Sequence, residues 1–211
     1  MSTTLHPDAP PAAATAPAPT TRSLIIADPG PLGLGAFALT TFVLSTFNAG
    51  LIPVSAEPVV LGLALFYGGA VQIIAGVMEY FKNNTFGATA FCSYGAFWMA
   101  FYWIVTHPEA FKDPATKAQG VGLFLLGWTI FTAYMLIVVT RVNGGLTITF
   151  ALLLVAFVCL TLGDFLGAKG LTVTGGYVGI VTALAAWYCS FAGVMNNTAG
   201  RPVLPMWPRA K

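Results

Sequence analysis

Long apolar runs separated by short polar breaks make up the chain after residue 27. Six runs hold about the 20 apolar residues that a helix needs to cross the hydrocarbon core of a bilayer: 31–52, 58–81, 86–106, 119–140, 145–164 and 171–194. The runs are too long for strands and lack the alternation of every second residue that is typical of a membrane β-barrel. The pattern therefore predicts an all-α, polytopic membrane protein with six transmembrane helices.

The two ends of the chain do not share this pattern. Residues 1–27 are rich in Pro, Ala and Thr and show no apolar periodicity, so we predict a disordered N-terminal tail. This stretch lacks the basic start and apolar core of a secretion signal, and we expect it to be retained. Residues 28–200 are predicted to form the transmembrane domain, and residues 201–211 a cytoplasmic C-terminal tail.

The amino-acid composition of the chain also indicates a membrane protein. The chain is 57% hydrophobic and 8% charged, whereas a soluble domain has about 25% charged residues. So few charges cannot keep a soluble surface hydrated. The three cysteines, Cys92, Cys159 and Cys189, lie far apart in apolar runs, which is typical of small buried residues and not of disulfides or metal sites.

The distribution of basic residues predicts the orientation in the membrane. With six spans, both termini lie on the same side. Six of the nine Lys and Arg residues belong to that side and three to the other: Arg22, Lys82, Arg141, Arg201, Arg209 and Lys211 against Lys112, Lys117 and Lys169. Because basic residues concentrate in cytoplasmic loops, we expect both termini to be cytoplasmic.

The motifs of soluble enzymes are missing from this sequence. Its two histidines are His6 in the tail and His107 in a loop, and there is no HExxH motif, Cys/His cluster or Walker loop. Gly33-Leu-Gly35-Ala-Phe-Ala38 matches a loose dinucleotide fingerprint but has no strand before it, as that fingerprint requires. We therefore expect no enzyme activity, no catalytic residue, no metal and no cofactor. A net charge of only +2 also argues against nucleic-acid binding.

Several polar residues lie inside the predicted spans. They are Thr41, Ser45 and Asn48 on one face of the first span, and Gln72 and Glu79, seven residues apart, on the second. Polar groups in lipid are costly and usually face the bundle interior or a water path. For the amides and the carboxylate, lining a path and bracing two helices remain alternative interpretations. For the hydroxyls of Thr41 and Ser45, bonding to carbonyls of their own helix is the favoured interpretation.

No Lys or Arg lies in the middle of any span. Since a bare anion is prohibitively costly to desolvate, an anion route here would need neutral donors, water or a helix terminus. The start of the first span offers free helix amides, which attract carboxylates. Alternatively a proton travels with the anion.

The start of the first span also carries a family signature. The stretch with Asp28, Pro29, Pro31, Leu32, Gly33 and Leu34 resembles the Asn-Pro-Ala-Pro-Leu-Gly-Leu motif of the acetate uptake transporter family, which includes bacterial succinate–acetate permeases and yeast acetate/ammonia exporters. The resemblance continues through Phe66-Tyr-Gly-Gly69, Gln72, Glu79-Tyr80, Asn84-Thr-Phe-Gly87, Ser93-Tyr-Gly95 and Gly200-Arg-Pro-Val-Leu-Pro205. It covers essentially everything after residue 27.

The resemblance implies a six-helix protomer with its own pore, a homo-hexamer, and a place in the plasma membrane, the cytoplasmic membrane of a bacterium. It implies passage of small monocarboxylates, chiefly acetate and also succinate, as a channel or a proton symporter. It also implies a pore constriction at Phe37, Tyr94 and Leu153, with Ala186 at a position associated with substrate size. The signature Asn is Asp28 here, which adds a negative charge at the helix start.

Helix geometry also supports a constriction at these three residues. Phe37, Tyr94 and Leu153 lie at similar depths in spans that run in the same direction, about 9–12 Å from their cytoplasmic ends at 1.5 Å rise per residue. We therefore expect them to meet in one plane. Two alternatives to acetate passage stay open: transport of ammonium or ammonia, and a membrane sensor or assembly protein without transport.

Overall fold

The computed structural model describes residues 26–209. Within that range six helices are long and apolar enough to cross a membrane. They are α1 (Gly30–Asn48), a composite second span (Val54–Phe81), α4 (Thr85–Thr106), α5 (Pro114–Val139), α6 (Gly144–Leu166) and α7 (Lys169–Ala199). The prediction of an all-α protein with six spans is confirmed. The predicted disorder of residues 1–27 falls almost wholly outside the described range.

Helix-capping residues place several boundaries differently from the apolar pattern. The fourth span begins at Pro114 and not at residue 119, because the Asp113 carboxylate accepts a hydrogen bond from the Thr116 amide at 2.8 Å. Such a cap satisfies a free amide of the first turn. The last helix extends to Ala199, beyond the predicted residue 194, and ends where Gly200 adopts φ 63°. The cap at Asp113 and the left-handed glycine at position 200 thus set helix ends that lie outside the apolar stretches.

The second span changes its winding along its length. A 3-10 turn (Val54–Ala56) leads into α2 (Pro58–Gly62), a nine-residue π-helix (Leu63–Val71) and then α3 (Gln72–Phe81). The π-helix passes so close to α1 that a Cβ atom on Gly68 would lie 2.6 Å from Thr40 Oγ1. π segments are rare and frequently occur at functional sites. The sequence pattern, which predicts one span over 58–81, gives no sign of it.

The six spans form a closed ring. Going round it, α1 packs on α7, α7 on α6, α6 on α5, α5 on α4, α4 on the second span, and the second span on α1. The backbones of α4 and α5 approach each other least, and aromatic side chains fill the space between them. Phe97 stacks on Phe124 with ring centroids 5.4 Å apart, and Tyr94 meets Phe131 edge-on at 5.3 Å.

Large apolar side chains also cover the outside of the ring. Phe66, Leu123 and Ile137 are among the most exposed. In a soluble protein a surface of this kind would be a liability, whereas lipid tails are a suitable solvent for it. The chain is therefore an integral membrane protein.

Loops and helix ends form two faces at the two ends of the ring. The terminal face holds residues 26–29, 82–84, 140–143 and 200–209, and the opposite face holds residues 49–57, 107–113 and 167–168. The names carry no assignment to either side of the membrane.

Candidate functional site

Two cavities lie inside the ring, one above the other. The larger has a volume of about 230 Å³ and extends to residues of the terminal face, including Asp28, Asn84 and Asn143. The smaller has a volume of about 40 Å³ and extends toward the opposite face, with Asn48 and Gly175 in its wall. Together they extend along the ring from one face toward the other.

The two cavities share one boundary. Phe37 of α1, Tyr94 of α4 and Leu153 of α6 each line both of them. All three side chains are buried, with 6%, 3% and 5% of their surface exposed, and the rings of Phe37 and Tyr94 lie 5.8 Å apart. The structure thus brings together the three residues proposed for the constriction, from three different helices.

The Tyr94 hydroxyl points away from this boundary. It lies 2.9 Å from Thr132 Oγ1 on α5, and Thr132 in turn donates its own hydrogen to the Trp128 carbonyl at 2.7 Å. Since Thr132 has only one hydroxyl hydrogen, Tyr94 must be the donor in the first bond. Tyr94 therefore presents its ring to the boundary, and its proton is already engaged. Thr132 is a residue that sequence reasoning missed.

The smaller cavity contains the polar residues proposed on the first span. Thr41, Ser45 and Asn48 all lie in its wall. The Thr41 hydroxyl has no hydrogen-bond partner within residues 26–209, so the interpretation that it bonds to a carbonyl of its own helix is wrong. Its neighbour Thr40 makes that bond instead, to the Ala36 carbonyl at 2.9 Å. The two hydroxyls differ because adjacent helix residues point in different directions, and the side chain of Thr41 lies in the cavity wall.

A second unpartnered group in the smaller cavity is the indole of Trp98. Its ring is 2% exposed, and Nε1 has no partner in the described part of the chain. A buried polar atom without a partner costs about 1–3 kcal/mol, and the cavity beside it offers room for water or a polar ligand. Trp98 was not among the predicted site residues, because a tryptophan in an apolar run resembles any other core residue.

The larger cavity holds the predicted polar residues of the second span. Gln72, 1% exposed, has an amide oxygen that meets no donor in residues 26–209. Glu79, 2% exposed, accepts a hydrogen bond from Asn84 Nδ2 at 2.8 Å. Both side chains line the cavity, so they face the interior of the ring and not lipid.

The signature residue Asp28 lies at the rim of the larger cavity. Its carboxylate forms an ion pair with Lys82 at 3.1 Å and accepts a hydrogen bond from the Gly30 amide at 3.2 Å. The negative charge is thus paired, and the same oxygen occupies one free amide at the start of α1. Within residues 26–209 neither cavity has a Lys, Arg or His in its wall, although Asp28 and Glu79 both line the larger one.

The remaining signature residues have different surroundings. Pro31 and Leu34 line the larger cavity, whereas Leu32 is 45% exposed on the outside of the ring. Pro29 is buried at the helix start, and Gly33 allows close contact with the Phe91 ring. The motif therefore builds the start of α1 as well as part of the wall.

Ala186 lies apart from both cavities. It is fully buried and belongs to the apolar core around Phe37 and Leu153, but it lines neither cavity. Any influence of this position on substrate size would act through the packing of its neighbours.

Fold and cavities together define a six-span integral membrane protein whose two internal cavities meet at one apolar boundary. The chain belongs to the GPR1/FUN34/yaaH family, which matches residues 11–208. A solved structure of the bacterial acetate channel SatP superposes with a TM-score of 0.80 at 36% identity, covering 86% of this chain and 99% of that one.

Several curated relatives are named for the transport of acetate or of ammonia. The succinate-acetate/proton symporter SatP of Escherichia coli is 36% identical over 86% of this chain and 95% of the relative. Acetate permease A of Emericella nidulans is 41% identical over 85% of this chain. Ammonia transport outward protein 2 of Saccharomyces cerevisiae is 42% identical over 86% of this chain. The chain spans about 65% of the length of these two fungal relatives.

Proposed function

We propose that this protein carries acetate and similar small monocarboxylates across a membrane, through the two cavities of each protomer. The observation that carries the proposal is the common boundary of Phe37, Tyr94 and Leu153 between those cavities. The names of SatP and acetate permease A support the substrate class. Succinate is a further candidate substrate, from the name of the Escherichia coli SatP.

The boundary acts as a constriction that selects by size and by hydration. The apolar side-chain surfaces of Phe37, Tyr94 and Leu153 surround one narrow passage, which water leaves easily. Hydrophobic constrictions of this kind gate pores by dewetting. A short monocarboxylate passes with its methyl group against these side chains. A longer or doubly charged acid meets a higher barrier, because more polar surface must lose its water.

Neutral polar groups on both sides of the boundary serve as stations for the carboxylate. On the side of the smaller cavity these are the Thr41 hydroxyl and the Trp98 indole N–H, which have no partner in the described chain. Each can donate a hydrogen bond to an oxygen of the substrate or to a water molecule that hydrates it. Because no basic side chain of residues 26–209 lies in either wall, the anion is held weakly, which favours rapid release.

The setting of this activity is also a proposal. We infer a plasma membrane with both termini in the cytoplasm, from the excess of Lys and Arg on the terminal side. We further infer a homo-hexamer, as the family resemblance implies. Passage occurs either as a channel or as a symport with protons. The two modes differ in whether a proton gradient alone drives uptake.

Uptake of labelled acetate and lactate into proteoliposomes tests the proposal, with and without a pH gradient. Leu153→Ala widens the boundary, and we expect the ratio of lactate to acetate uptake to rise about tenfold, as for a pocket enlarged by a few methylene groups. Leu154→Ala is the matched control, since Leu154 is the next residue of α6 and lines neither cavity. An unchanged ratio in a folded Leu153→Ala protein would falsify the constriction.

Transport of ammonium is the second candidate. Two carboxylates, Asp28 and Glu79, line the larger cavity and would attract a cation, and one relative is named as an ammonia transporter. Competition decides between the candidates. If unlabelled ammonium suppresses no acetate uptake and produces no current, while unlabelled propionate competes, the acetate proposal stands and the ammonium one fails.

A further inference from the structure

The chain after α7 returns across the terminal face and packs on the bundle. We call residues 200–209 the C-terminal strap. Its backbone pairs with the start of α6: the Gly144 amide donates to the Trp207 carbonyl at 2.9 Å, and the Arg209 amide donates to the Val142 carbonyl at 3.3 Å. The strap is therefore packed against the bundle by backbone hydrogen bonds near its C-terminal end.

Two side chains of α7 fix the first half of the strap. Asn196 accepts hydrogen bonds from the amides of Val203 and Leu204, at 2.7 and 2.8 Å, and donates to the Leu204 carbonyl at 2.9 Å. The Tyr188 hydroxyl donates to the Pro205 carbonyl at 2.7 Å. The strap is thus held on both sides of Met206.

Trp207 has a left-handed backbone conformation and lies close to the start of α6. Trp207 has φ 49°, which is uncommon for a bulky residue. A Cβ atom on Gly144 would lie 3.0 Å from Trp207 Cβ, so this approach is tight for anything larger than glycine. Trp207 stacks on Tyr188 and lines a neighbouring groove that shares Cys189 with the larger cavity, whereas Met206 lines the larger cavity and not the groove.

Met206 lies close to Gly145 and, across it, to Cys189, which also lines the larger cavity. A Cβ atom on Gly145 would lie 3.5 Å from Met206 Sδ and Cε and 3.0 Å from Cys189 Sγ. Gly145 thus separates the side chains of Cys189 and Met206, which both line the larger cavity, and its missing side chain leaves room for them. The Gly145 amide also donates to the Met206 carbonyl at 3.4 Å. Met206 is anchored through its backbone, and its thioether is an adaptable part of the cavity wall.

We propose that Met206 is a specificity-determining residue, which limits the size of the carboxylate that the larger cavity admits before it reaches the constriction. This inference rests on the proposed function. In the wild type, size selection therefore occurs at two levels, at the strap and at the boundary of Phe37, Tyr94 and Leu153. Met206→Ala removes Cγ, Sδ and Cε from the wall and leaves the backbone anchors in place.

Competition among monocarboxylates of increasing length tests this in proteoliposomes. For Met206→Ala we expect the ratio of butyrate to acetate uptake to rise several-fold, and for Met206→Phe we expect it to fall. Val203→Ala is the matched control, because Val203 lies in the same strap, is 46% exposed and lines none of the cavities described here. Equal ratios in the wild type and both Met206 variants overturn the proposal.

A second measurement does not depend on acetate transport. Cys189 lines both the larger cavity beside Met206 and the groove beside Trp207. Because Met206 does not line the groove, the change that Met206→Ala makes in the reaction of Cys189 with methanethiosulfonates of two sizes reports the width of the entry. Cys92→Ser and Cys159→Ser remove the other two thiols, which are half-buried. We expect Met206→Ala to accelerate the bulky reagent more than the small one. Equal acceleration or none overturns the size limit, even if the wild type proves to carry no acetate.

Discussion

Replacing Thr132 by valine removes the partner that the structure gives to the Tyr94 hydroxyl, at nearly constant side-chain volume. Thr132 is fully buried and Tyr94 is 3% exposed, so water cannot readily take over the bond of 2.9 Å between them. A buried donor left without an acceptor costs about 1–3 kcal/mol. We expect Thr132→Val to lower the free energy of unfolding by that amount.

Two further variants separate this bond from general packing. Thr132→Ser keeps the hydroxyl and loses only a methyl group, so it should retain most of the stability. Tyr94→Phe removes the donor itself and leaves no unsatisfied hydroxyl on the ring, which should cost about 0.5–1.5 kcal/mol. In the double variant Thr132→Val with Tyr94→Phe, the two effects should overlap and give a coupling energy on the order of 1 kcal/mol.

The assay is unfolding in mixed micelles with increasing SDS, followed by far-UV circular dichroism for the wild type and the four variants. Acetate uptake of Tyr94→Phe is measured in parallel. Because the hydroxyl is turned toward α5, we expect this variant to retain uptake. Strict additivity of the two substitutions, or loss of uptake in folded Tyr94→Phe, would refute the reasoning, since either result means that the hydroxyl acts elsewhere.

Two other predictions concern helix contacts and a helix start. Gly76→Ala should lower the free energy of unfolding by about 1–3 kcal/mol, because its Cβ atom would lie 2.6 Å from the backbone nitrogen of Cys92. The control Gly127→Ala has nothing within 4 Å of its Cβ atom and should be neutral or stabilising. Equal stability of the two variants in SDS would contradict this prediction. Hydrogen bonds from Thr116 lower the pKa of the Asp113 carboxyl below its ordinary value of 3.8. The stabilisation it provides is therefore full above pH 3.8 and is lost as the pH falls through the lowered value, so the melting-temperature difference between wild type and Asp113→Ala should shrink toward pH 3 and stay constant above pH 5.

Features that depend only on the local sequence, such as the length of an apolar run, could be predicted from the sequence. A bilayer demands runs of fixed minimum length, so the six spans could be read from the apolar stretches. The cost of a polar group in lipid likewise explains why Gln72 and Glu79 could be picked out before their neighbours were known. The structure places both in the wall of the larger cavity.

The partners of individual polar groups could not be predicted in this way. Thr40 and Thr41 are adjacent and chemically identical, yet Thr40 bonds to its own helix and the Thr41 hydroxyl is left facing the smaller cavity. Which of the two faces the cavity depends on the rotation of α1 within the ring. Many rotations are compatible with an almost uniformly apolar sequence.

The amino-acid sequence by itself determined the class of protein, the number of spans and the stretches that cross the bilayer, because hydrophobic length is a local property. Only the tertiary structure decided that the Tyr94 hydroxyl belongs to Thr132, that the second span contains a π-helix and that the strap brings Met206 into the cavity wall. Each of these depends on contacts between segments far apart in the chain. Such contacts are set by the joint packing of all six helices, which no single segment encodes.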